Sequence, residues 1–144
     1  MVPTTKTNLK RAFRCEIKDQ ISDFKKNKGF PGCEVHHEPY FCELVSNFLY
    51  EYCINEGEIA LEQKGCNIYF VDRDLANLWK NYHEKNAVLF AITPEEHRLI
   101  HNLNISLLDA QSIVYSKRIT GKKRYKWNFL KKFLIYYSEY QYSH

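Results

Sequence analysis

Four of the six histidines fall into two tight groups. His97 and His101 stand four residues apart, a spacing that brings two side chains onto one helix face, so both imidazoles can reach a single ion. His36 and His37 are adjacent. In extended backbone, successive side chains point to opposite faces, so one ring can bind a metal while its neighbour faces a substrate. Imidazole titrates near neutrality and serves both as neutral ligand and as proton acceptor. Phosphodiester hydrolysis needs those two services: an activated water, and relief of charge on the phosphate and the leaving oxygen. His83 is read as an exposed helical histidine near Lys80 and Glu84.

The elements around these residues are legible in outline. Leu9, Phe13, Ile17, Ile21 and Phe24 recur at three- and four-residue steps, which predicts one basic amphipathic helix over 7–28 with Gly29 at its C-cap. Phe30-Pro31-Gly32 signals a turn. Cys33 to His37 is a short strand candidate closed by Pro39. Phe41, Leu44, Val45, Phe48, Leu49 and Tyr52 form one stripe and predict a helix over 41–54, ended by Asn55-Glu56-Gly57. Residues 58–71 are ambiguous, with a short strand candidate at 67–71. Asp72 or Asp74 would cap a helix using Leu75, Leu78, Trp79 and Tyr82. Ala87 to Ile92 reads as a buried strand. Thr93-Pro94-Glu95-Glu96 carries the N-cap, the N1 proline and the N3 glutamate of a capping box. That start puts His97 one turn into a helix and His101 one turn later on the same face. Lys117 to Trp127 reads as a hairpin or a loop, and 128–142 as an aromatic-rich helix.

Glu34-Val35-His36-His37-Glu38, with Pro39 close behind, resembles the E-x-H-H-(D/E) segment of the HNH (ββα-metal, His-Me finger) endonucleases. Asn86-Ala87-Val88-Leu89 resembles their central Asn-Leu strand, and Glu96-His97-Arg98-Leu99-Ile100-His101 their closing H-x-x-I-H helix. The resemblance spans roughly 32–104. It implies an α+β fold whose ββα-metal core combines a short hairpin with the helix carrying His97 and His101. It also implies metal-dependent cleavage of DNA to 5′-phosphate and 3′-hydroxyl ends. By the same resemblance, His37 is the general base, His36, His97 and His101 hold one divalent ion, Asn86 orients the base, and Glu34 steadies a ligand ring. Three imidazoles suit Zn²⁺, Ni²⁺ or Mn²⁺, and two of them would leave room for Mg²⁺. The stretch between His37 and Asn86 is longer than the family's short loop, so Asn77 and Asn81 stay open beside Asn86. The cysteine pairs that hold a structural zinc in many HNH domains are absent. A small protein of this type with basic flanks resembles phage or intron-encoded homing endonucleases more than colicins or restriction enzymes.

The organisation expected is one domain over 1–144. It has a basic helical segment at 1–29, a catalytic core at 32–104 with a helical insertion at about 40–85, and a basic, aromatic segment at 117–144. Charge follows that division. Residues 1–29 hold eight Lys and Arg against three acids, 30–116 five against thirteen, and 117–132 eight against none. Basic ends around an acidic middle suit a polyanion touched at its flanks, although such runs alone serve equally as solvated faces. The expected DNA contacts are Lys117, Arg118, Lys122, Lys123, Arg124 and Lys126, with Tyr125 and Trp127 placed to stack on bases. Lys10, Arg11, Arg14 and Lys18 form a second cationic face. The active unit is expected to be a monomer or homodimer.

At 144 residues, 44% hydrophobic, the chain can bury a real core. Five widely spaced cysteines without a C-x-x-C pair argue for reduced thiols packed as small hydrophobes. No apolar run reaches membrane-spanning length and no secretory signal is visible, which points to a cytoplasmic, intracellular protein without membrane partners. Two other function classes compete: a noncatalytic zinc-containing nucleic-acid-binding protein, and a metal hydrolase acting on a small substrate.

Overall fold

The computed structural model of the chain describes residues 1–120. The expectations for Lys122 to Trp127 and for a helix over 128–142 lie outside them. Among the described residues the fold is α+β, with six α-helices and two small antiparallel sheets. The chain divides into two compact units, Met1–Pro94 and Glu95 onward.

The first unit opens with α1 (Lys6–Glu16) and α2 (Lys18–Lys28). Thr5 caps α1 by accepting from the Asn8 amide. The single helix expected over 7–28 is thus two helices, parted at Ile17 (φ −102°, ψ 10°). No glycine or proline marks the break. Glu16 and Ile17 are both buried there, and Glu16 is drawn inward by partners distant in sequence. Its Oε1 accepts the Phe70 amide at 3.0 Å, and both carboxylate oxygens take the Arg73 guanidinium at 2.8 and 3.0 Å. Gly29 closes α2 as expected.

β1 (Glu34–Glu38) follows, then α3 (Phe41–Glu51), a hairpin of β2 (Leu61–Lys64) and β3 (Asn67–Phe70), α4 (Arg73–Asn86) and β4 (Val88–Ile92). β1 pairs antiparallel with β4, so the chain between them is a long excursion. It contains two helices and a hairpin; β2 had no sequence signal of its own. Gly65 makes the β2–β3 turn at φ +63°, a conformation that L side chains rarely adopt. Asp72 caps α4, accepting from the Asp74 and Leu75 amides.

The excursion is not ornamental, because it supplies most of the core. Phe13 of α1 meets Phe70 and Trp79 edge-on at 4.9 Å each, and Phe48 packs on Trp79 at 5.2 Å. Such pairs contribute about 0.5–1.5 kcal/mol each beyond their burial. The Trp79 indole N–H finds the Phe13 carbonyl at 2.9 Å, so the largest side chain is buried without a stranded donor. Leu9, Leu44, Leu61 and Ile68 complete this interior.

The second unit contains α5 (Pro94–Leu103), which begins one residue after β4, and α6 (Leu107–Thr120). Asn104 turns the chain between them at φ +50°, and Ser106 caps α6 through the Asp109 amide. Leu99, Ile100, Ala110, Ile113 and Val114 are its buried apolar residues. α6 runs through Thr120, so 117–120 is helical and not the start of a hairpin or loop. All five cysteines are unpaired, but Cys42, Cys53 and Cys66 are exposed, contrary to the packing expected of them. No described helix is long and apolar enough to cross a membrane.

Candidate active site

β1 sets the first histidine pair. Its register against β4 places His36 opposite Phe90 and His37 opposite Leu89. Alternation sends Glu34, His36 and Glu38 to one side and Val35 and His37 to the other. His36 is 1% exposed and lies edge-on to Tyr40 at 5.7 Å. Glu38 Oε1 stands 3.3 Å from its Nε2. A carboxylate on an imidazole fixes the ring's orientation and raises its basicity as a ligand. Glu34, which the family resemblance makes the residue that steadies a ligand ring, lies two residues away on the same side of β1 and is half-buried.

His37 faces the body of the first unit. Its ring lies edge-on to Phe41 at 5.3 Å, and its Nε2 stands 3.1 Å from Nε2 of His83. His83 is not the exposed helical residue expected: it is 1% exposed and packs on Trp79. Burial pushes its pKa down from 6.5 to about 4, which keeps the ring neutral at physiological pH. Its Nδ1 meets Gln20 Oε1 at 2.7 Å, and the Gln20 amide nitrogen donates to the Lys80 carbonyl at 2.9 Å. Asn86 is bonded to its own helix. Its amide donates to the Tyr82 carbonyl at 2.8 Å, tying off the last turn of α4. Asn77 and Asn81 are exposed on the same helix. The partner that sequence reasoning sought among the asparagines is a histidine.

The second pair is set by α5. Four residues of helix bring Nε2 of His97 and His101 to 3.0 Å, with ring centres 4.7 Å apart. Two imidazole nitrogens on one tetrahedral Zn²⁺ stand about 3.3 Å apart, given Zn–N distances near 2.0–2.1 Å. The pair therefore has close to the separation that a shared ion demands. His36, the third imidazole expected at the ion, lies on β1 of the first unit. Three neutral imidazoles suit a borderline transition ion. Glu95, on the same helix, is ion-paired with Lys117 of α6.

The expected DNA-contacting residues divide. Lys10 and Arg14 are exposed on α1, while Arg11 donates to the Cys66 carbonyl at 3.0 Å. The Arg14 guanidinium stands over the Phe41 ring at 5.3 Å, and Phe41 is the ring that touches His37. The cationic face of α1 thus leads to the histidine pair of β1 through one phenylalanine. Lys117 already has Glu95 as a partner; Lys122, Lys123, Arg124 and Lys126 lie outside the described residues, as does the side chain of Arg118.

Comparison with protein-family models, with curated proteins and with solved structures gives no match.

Proposed function

We propose that this chain is a metal-dependent DNA endonuclease of the HNH, ββα-metal type, with His37 as its general base. The observation that carries the proposal is the α5 pair, His97 and His101, whose Nε2 atoms stand 3.0 Å apart, together with a strand whose alternation turns His36 and His37 to opposite faces. The order of elements adds support: β1 pairs with β4, and α5 follows β4 after Thr93 alone.

The residues divide the work. A divalent ion held by His36, His97 and His101 would supply Lewis-acid relief of charge at the phosphate and the leaving oxygen. Glu38 holds the His36 ring through its Nε2. His37 takes a proton from the attacking water as that water's oxygen bonds to phosphorus. The bond from phosphorus to the 3′ oxygen breaks, that oxygen takes a proton from solvent water, and the products carry a 5′-phosphate and a 3′-hydroxyl. Arg14, with Lys10 one turn earlier on α1, offers cations for the strand's phosphates, and binding is accordingly expected to weaken steeply with salt. A homing endonuclease is the biological role that fits a nuclease with basic flanks.

Plasmid cleavage with Mg²⁺, Mn²⁺ and Zn²⁺, with and without chelator, tests this. His37→Ala is expected to lose about 10²–10⁴-fold in cleavage rate while metal affinity, measured by titration calorimetry, is kept. A variant that cuts at the wild-type rate removes His37 as base. A wild type that binds zinc and DNA but cuts with no metal is instead a noncatalytic nucleic-acid-binding protein.

A further inference from the structure

We infer that His83 and Gln20 are positioning residues that fix the tautomer of His37, leaving Nδ1 of His37 as the atom that accepts the proton. The inference rests on the endonuclease proposal for its catalytic meaning, but its geometry is independent of that proposal.

The chain of contacts admits one assignment of protons for two neutral rings. The Gln20 amide nitrogen donates to the Lys80 carbonyl at 2.9 Å, which turns Gln20 Oε1 toward His83 Nδ1, 2.7 Å away. An amide oxygen only accepts, so His83 Nδ1 carries the hydrogen. A neutral imidazole has a single N–H; His83 Nε2 is therefore an acceptor. The atom facing it at 3.1 Å is His37 Nε2, which must donate. A neutral His37 that donates through Nε2 has its lone pair on Nδ1. The order is Lys80 carbonyl, Gln20, His83, His37, with every donor pointing along the chain toward Lys80.

The arrangement is built into the fold. Gln20 comes from α2, His83 from the last turn of α4 and His37 from β1. His83 is 1% exposed and packed on Trp79, whose ring centre is 5.7 Å away. The depressed pKa of His83, set by burial, removes the doubly protonated form that would reverse the direction of the bond. A ring held in one tautomer and one orientation needs no reorganisation before it takes a proton, which is the service such partners give.

Nitrogen-15 NMR of the full chain, labelled on histidine rings and kept metal-free, reads the tautomers directly. His37 is expected as the Nε2–H form and His83 as the Nδ1–H form. His83→Phe keeps an aromatic ring on Trp79 but removes the acceptor. It is expected to abolish the His37 preference and to lower kcat about 10–100-fold, with little change in KM. His83→Gln, which can offer an amide oxygen to His37, is expected to recover most of the kcat. An Nδ1–H form of His37 in the wild type, or wild-type kcat in His83→Phe, overturns the inference. If the wild type cuts no DNA, the endonuclease proposal falls, and the ring spectra still decide the tautomer by themselves.

Discussion

Buried neutral His83 makes stability depend on pH in a direction and amount that follow from its surroundings. Its pKa is about 4 in the folded chain against 6.5 for the ordinary side chain. The unfolded state therefore binds the extra proton between those values and the folded state does not, so acid favours unfolding. The contribution is present above about pH 6.5 and is lost as pH falls toward 4. The full difference is worth about 3 kcal/mol, and linkage puts about 1.4 kcal/mol of it between pH 7.5 and 5.5. That upper interval is the useful one, because most carboxylates titrate below it. Urea unfolding of metal-free protein, followed by far-ultraviolet circular dichroism, gives the stability at each pH. The comparison is with His83→Gln, which has no proton to bind but leaves the other five histidines to cancel. The wild type is expected to lose about 1.4 kcal/mol more than the variant over that interval. Parallel pH profiles, or a His83 ring that titrates near 6.5 in the folded state, would refute the assignment of His83 as a buried neutral acceptor.

Two further outcomes concern the scaffold and the ligands. Glu16→Ala strands the Phe70 amide and unpairs Arg73; since Arg73 is half-exposed and recovers water, the expected loss is about 2–3 kcal/mol rather than the larger cost of breaking a wholly buried pair. Glu16→Gln keeps an acceptor for Phe70 and is expected to lose less, so equal urea midpoints for the two variants would show that the charge alone matters. His97→Ala removes one of three donors and is expected to weaken Zn²⁺ binding at least about tenfold in titration calorimetry, from a starting stoichiometry of one ion per chain; unchanged affinity would place the ion elsewhere.

The elements carried by local chemistry were legible. The α3 stripe returned with Leu44, Phe48 and Leu49 buried, Asp72 proved to be the α4 cap, and a helix does begin at Pro94. What failed was structure decided at a distance. The break at Ile17 has no local signal, because the partners of the adjacent Glu16, Phe70 and Arg73, are more than fifty residues away. β2 reads Leu-Glu-Gln-Lys, a sequence with no strand character of its own; pairing with Asn67 to Phe70 makes it a strand. Leu61 at its start is wholly buried and anchors it, and the Val2 amide adds a bridge to the Leu61 carbonyl.

For the site, the same division explains why the partner of His37 was sought in the wrong residue type. The motif's asparagine was placed by its position before the apolar strand, and Asn86 does precede β4. At the end of α4, however, an asparagine side chain can bond a carbonyl one turn back on its own helix more readily than a distant ring, as Asn86 does with Tyr82. His83 carries a signal of its own in the sequence. Ala76, Trp79 and Tyr82 are buried on α4, and a residue four beyond Trp79 lies on the same stripe. A histidine on an apolar stripe cannot stay unbonded at acceptable cost, so it implies partners for two ring nitrogens. Gln20 and His37 are those partners. Exposure was inferred from the neighbours Lys80 and Glu84, yet on a helix a residue's sequence neighbours face other directions. The periodicity that marked Trp79 as core marked His83 as well.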